Sequence, residues 1–101
     1  MTHEPTITRA TASVAATVSA LTAALDRRGI RVFTVVDHAA GAAEAGLELA
    51  AEVVVIFGNP AVGTPLMRTD PRVGLELPLR MLVWDDDGVT RIAYDDPHTL
   101  S

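Results

Sequence analysis

Residues Glu52–Asp70 read EVVVIFGNPAVGTPLMRTD, an apolar run that stops at Gly58-Asn59-Pro60 and hands over to a helix-forming segment. Val53 to Phe57 are five consecutive apolar residues, β-branched or aromatic, the composition of a strand buried on both faces and placed centrally in a sheet. Gly58 can take backbone angles closed to other residues, Asn59 is a favoured N-cap, and Pro60 has the fixed φ and missing N–H that suit a first helical position. The junction reads strand, cap, helix. A helix start at a strand end also offers unpaired N–H groups and a positive dipole end, so Asn59 is both a structural cap and a candidate ligand-facing residue.

Working outward, Pro60 to Thr69 is helical, but Pro65 sits past the first turn and would crowd the carbonyl four residues back, so Thr64 is a candidate second cap. Asp70-Pro71 ends that helix, and Gly74 with Pro78 marks a loop. Leu79 to Asp86 and Val89 to Asp95 flank Asp87-Gly88, the preferred pair for a two-residue type I′ turn. That turn sets Trp84 opposite Arg91, Val83 opposite Ile92 and Met81 opposite Tyr94. Leu79, Met81, Val83, Ile92 and Tyr94 then form a core face. The other face carries Arg80, Leu82, Trp84, Arg91 and Ala93, too apolar for an ordinary solvent face, so it predicts cover by a partner chain or another segment. Stacking of Arg91 on Trp84 is the modest alternative.

Upstream, Thr6 to Arg9 reads as a short edge strand. Val14, Val18, Leu21 and Leu25 recur at spacings of four, three and four, which predicts a helix over 12–28 capped by Thr11 or Ser13 and closed at Gly29. Ile30 to Val36 follows as a strand ending at Asp37-His38. Ala39 to Leu49 has helical composition interrupted by Gly41 and Gly46, so a short or irregular helix is expected.

Composition bounds the function. The 101 residues suit one domain, and the absence of cysteine excludes disulfides and thiolate metal sites. Sixteen alanines and only four aromatics predict a thin core of small side chains, one that packs best with help from a partner. A net charge of −5 argues against binding a nucleic-acid backbone. No apolar run approaches a membrane span and the first nine residues lack a signal-peptide centre, so a cytoplasmic protein is expected. No cofactor or metal is indicated. His38 beside Asp37 could act as a general base or metal ligand, but two adjacent loop residues set no geometry. Asp85, Asp86 and Asp87 read as solvated turn residues rather than a cation site.

Asp37-His38-Ala39-Ala40, Ile56-Phe57-Gly58-Asn59-Pro60, Gly63-Thr64-Pro65-Leu66-Met67, Gly74 to Leu79 and Tyr94-Asp95-Asp96-Pro97 occur in this order over nearly the whole chain. The pattern resembles the bacterial family known as domain of unknown function 302. The resemblance implies a small α+β domain with an antiparallel-dominated sheet and helices packed on it, commonly a homodimer, and it implies no activity. Its motif positions fall on His38, Asn59, Pro60, Thr64, Pro78 and Tyr94, which are expected to line one cavity if there is one. Such proteins usually continue past the Asp-Pro into a further helix, whereas this sequence stops at Ser101, which leaves the cover of one sheet face in question. The expectation is an α+β domain of about five strands in the order β-α-β-α-β-α-β-β. It would act as a homodimeric binding or interaction module for an unidentified small molecule, with His38, Asn59, Pro60, Thr64 and Tyr94 as candidate ligand contacts and Leu82 and Trp84 at the dimer face. The alternatives are a small enzyme using His38 with Asn59 and Thr64, and a purely structural dimerisation domain.

Overall fold

In a computed structural model, which describes residues 4–95, the hairpin after Leu79 is the centre of the sheet. The strands are β1 (Thr6–Ala10), β2 (Arg31–Asp37), β3 (Glu52–Gly58), β4 (Leu79–Asp86) and β5 (Val89–Tyr94). They are ordered β1-β5-β4-β3-β2, and every neighbouring pair is antiparallel. Helices α1 (Val14–Arg27), α2 (His38–Glu44) and α3 (Pro60–Thr69) and a 3-10 helix at Pro71–Leu75 complete an α+β domain.

Local chemistry accounts for the boundaries. Asp87 and Gly88 both have positive φ, 51° and 90°, as a type I′ turn requires, and the Asp85 carboxylate accepts from the Gly88 N–H at 2.8 Å. The β4–β5 register follows, with Trp84 opposite Arg91, Val83 opposite Ile92 and Met81 opposite Tyr94. Ser13 caps α1 by accepting from the Ala16 N–H at 3.1 Å, and Gly29 after it adopts φ 71°.

Three expectations need correction. The strand at the middle of the sheet is β4, while β3 is interior but one place off centre. β3 is also not closed over on both faces: Val53 and Val55 are buried, but Val54 and Ile56 on the opposite face are only half-buried. Second, α3 runs unbroken through Pro65, so Thr64 is no second cap. The carbonyl freed of its partner belongs to exposed Ala61, where water can take the bond, and the proline is thereby tolerated. Third, the Arg91 guanidinium pairs with Asp86 at 3.3 Å instead of stacking on Trp84, and the cation–π contact among the described residues is Arg31 over Phe33, 6.0 Å from the ring centre.

Helix α1 lies across β2, β3 and β4. The core is the seam beneath it: Val14 with Val53 and Val83, flanked by Val18, Leu21 and Ile92. The Thr90 hydroxyl donates to the Ala12 carbonyl at 2.7 Å, tying β5 to the entry of α1. Among the described residues only eight are buried, and only Val55 and Val83 are large and fully so. A cavity of about 490 Å³ remains between α1, β2 and α2, lined largely by Ala15, Ala39, Ala40 and Ala51 beside valines. Small side chains leave the thin core that the alanine content predicts. On the opposite face of the sheet, among the described residues, His38 at the start of α2 reaches the rim of an open pocket.

Candidate functional site

That second face is where the candidate residues must be judged. Residue alternation puts Val54, Leu82 and Ala93 in one row across β3, β4 and β5, because Val54 pairs with Leu82 and Leu82 with Ala93. The neighbouring rows hold Ile56 with Arg80 and Glu52 with Trp84 and Arg91. Over them lies a shallow pocket of about 450 Å³, lined by Val54, Ile56, Arg80, Leu82 and Ala93 and rimmed by Pro5, His38, Tyr94 and Asp95. Its size is that of an ordinary small-molecule site, and its floor is aliphatic.

Of the six residues expected to line one cavity, two do. His38 opens α2 and reaches the pocket rim, and Tyr94 ends β5 beside it. Asn59, Pro60 and Thr64 are elsewhere. Asp37 pairs with Val53 at one end of the β2–β3 ladder and Arg31 with Gly58 at the other, so His38 and Asn59 sit at opposite ends, roughly 20 Å apart along the strands. The rule that strand ends gather polar groups holds for parallel sheets, whose strands all end on one edge. In this antiparallel ladder the C-terminal ends of β2 and β3 point in opposite directions, so the single-cavity expectation fails. Pro78, the remaining motif position, lies beside Gly58 at the Asn59 end.

The local roles of these residues are clear. Asn59 Oδ1 accepts from the Ala61 N–H at 3.0 Å, which is the N-cap of α3. Asp37 Oδ1 accepts from the Ala40 N–H at 2.9 Å and caps α2, so its carboxylate serves the helix start rather than standing behind His38 as an orienting group. The helix begins at His38 and stops near Gly46, at φ 76°, the short helix that its glycines lead one to expect. Asp70 caps the 3-10 helix and holds Arg72 through both carboxylate oxygens, at 3.0 and 3.1 Å. The Arg72 guanidinium lowers the Asp70 carboxyl below its ordinary value, and that carboxylate raises Arg72. The motif positions missed the pocket floor of Val54, Ile56, Arg80, Leu82 and Ala93; the alternation of Leu79 to Trp84 is the signal that finds Arg80 and Leu82. Among the described residues no cluster of three histidine, cysteine or carboxylate side chains is placed to hold a metal ion.

The model for Domain of unknown function DUF302 matches residues 6–101. The chain belongs to the DUF302 family. It is similar over 98% of its length to the crystal structure of an uncharacterized conserved DUF302 protein from Bacillus stearothermophilus, covering 78% of that chain with a TM-score of 0.87 at 21% identity, a likeness of fold alone. It is also 46% identical over 90 residues to a protein of Brucella suis biovar 1 named fluoride-specific ion channel FluC 1, covering 88% of this chain and 35% of that protein. A Brucella melitensis biotype 1 protein named fluoride-specific ion channel FluC 2 matches at the same 46% identity over 33% of its length. The chain thus spans about a third of the curated relatives it matches. Among its described residues, no helix is long and apolar enough to cross a membrane.

Proposed function

We propose that this DUF302 chain is an interaction module that works as a homodimer through the sheet face carrying Leu82 and Trp84. The observation behind this reading is the contrast of faces: α1 packs on Val53 and Val83, whereas Val54, Ile56, Leu82 and Trp84 on the other face are half-buried and, among the described residues, are met by His38 at the start of α2 only at the rim of an open pocket. Two-fold contacts are self-complementary, which makes a second copy an economical cover for such a face. The Brucella relatives support a module that works beside other protein, since the matched portion is a third of longer chains named as channels. Sedimentation velocity at micromolar concentration tests the reading: a dimer that Trp84→Arg converts to a folded monomer supports it. A monomer whose Trp84 emits at a solvent-exposed wavelength overturns it.

A second reading, small-molecule binding, is favoured by the pocket, which brings Arg80, His38 and Tyr94 around an aliphatic floor. Native mass spectrometry of protein purified from its own host tests it, by the presence of a co-purifying mass that Arg80→Gln removes. The enzyme built on His38 with Asn59 and Thr64 loses its basis, because those groups stand at opposite ends of the β2–β3 ladder.

A further inference from the structure

Among the described residues, the sheet face opposite α1 is one of several apolar surfaces left open, beside Leu47 and Leu49 and the β2 edge at Phe33 and Val35. Another is α3. This helix packs chiefly on the 3-10 helix that follows it rather than on the sheet: Leu77 and Met67 close over Gly63, and Met67 lies against Gly74. One turn of α3 beside that strip, Val62 and Leu66, stays outside, 62% and 41% exposed, and Leu75 of the 3-10 helix is 89% exposed. Residues four apart on a helix stand one above the other, so Val62 and Leu66 make a short apolar ridge.

The surface area shows how much cover is missing. A folded monomer of this mass exposes about 5,500 Å², and this chain exposes 7135 Å². Counting the nine residues outside the described range as fully extended chain still leaves an excess of roughly 600 Å², and counting them as folded leaves roughly 1,600 Å². A standard interface removes about 800 Å² from each partner, which falls between those bounds.

Resting on the homodimer reading, we infer that the occupant of the open face is α3 of a second copy, with Val62 and Leu66 seated over the Val54-Leu82-Ala93 row. The pocket of about 450 Å³ on that row is the receiving hollow. The exchange is reciprocal: each copy gives its ridge and receives its partner's, so one two-fold contact covers both surfaces in both chains and closes the assembly at two. This differs from a face-to-face dimer, in which Leu82 would meet its own counterpart and the α3 ridge would stay wet.

The chain has no cysteine, so introduced thiols report cleanly. Proteins carrying Leu66→Cys alone and Leu82→Cys alone are mixed, oxidised and separated on non-reducing gels. The expected product is a mixed 66-to-82 disulfide, exceeding either self-linked species at least several-fold. Self-linked Leu82→Cys in the absence of the mixed product overturns the α3 assignment and leaves the homodimer standing. A chain that sediments as a monomer before oxidation overturns both. Leu66→Asp adds an independent arm: the site is exposed, so circular dichroism should be unchanged, while the dimer dissociation constant rises at least tenfold. An unchanged constant overturns the inference.

Discussion

The two faces of the sheet are made by the same strands and differ by one residue of phase. Val53, Val55 and Val83 point beneath α1 and retain 9%, 0% and 0% of their surface, whereas Val54, Ile56 and Leu82, one position along, are half-buried. Side-chain chemistry does not separate the two sets, since both are aliphatic and β-branched in the main. What separates them, among the described residues, is that α1 packs on the first set. Apolar character marks a surface that needs cover, and the cover need not come from the same polypeptide.

The largest effect expected from this contrast is on stability. Val83→Ala removes two fully buried methyl groups under α1 and should cost about 2–3 kcal/mol in chemical denaturation. Leu82→Ala, its neighbour on the other face, should cost less than about 1 kcal/mol at nanomolar concentration, where the chain stands alone. Equal costs in dilute solution would erase the distinction between the faces. The second effect is its concentration dependence: as the protein is raised to tens of micromolar, the Leu82→Ala penalty should grow while that of Val83→Ala stays fixed, because association stabilises only the folded form that offers the bare face. Parallel denaturation curves at both concentrations would argue against a self-associating face.

Asn59→Ala probes the segment that belongs to neither face. Losing the cap should weaken the protein by about 1 kcal/mol, with the amides of the first turn of α3 exchanging fastest. An unchanged melting curve together with lost ligand binding would recast Asn59 as a binding residue. The smallest effect concerns the exposed pair Asp70 and Arg72. The folded Asp70 carboxyl lies below its ordinary 3.8, so its contribution is present above pH 3.8 and is lost as pH falls through the lower folded value. Asp70→Asn should therefore lower stability slightly at neutral pH, with the difference from wild type vanishing in acid below the folded value, which flattens a small part of the acid-side curve; an unaltered acid limb would remove the pair from the account.

Much of the fold was legible because single residues force it. Asp87-Gly88 takes the two positive φ angles of a tight hairpin, and from that turn alone the register of Trp84 with Arg91 follows. Ser13, Asn59 and Asp70 stand at helix starts where their side chains accept from backbone N–H groups. The candidate site was legible only in part, since His38 and Asn59 each follow a strand but nothing local says at which edge each strand ends. Antiparallel pairing decides that, and it sends the two apart. The run from Val53 to Phe57 likewise records the need for burial on two sides without recording who provides the second. Asp37 before a helical run is a cap, but the helix behind it, rich in alanine and glycine, has too weak a periodicity to mark its first turn in the sequence.

The two outer strands bear on what a self-associating protein must avoid. β1 is five residues long, follows Pro5 and carries Arg9, and the β2 ladder is interrupted between Val32 and Thr34. A short, charged, proline-flanked rim and a kinked one are poor templates for further hydrogen-bonded strands. In the proposed homodimer, copies would then meet through side chains while their backbones stay closed to one another, so that association would stop at a finite particle and not run on into a fibre.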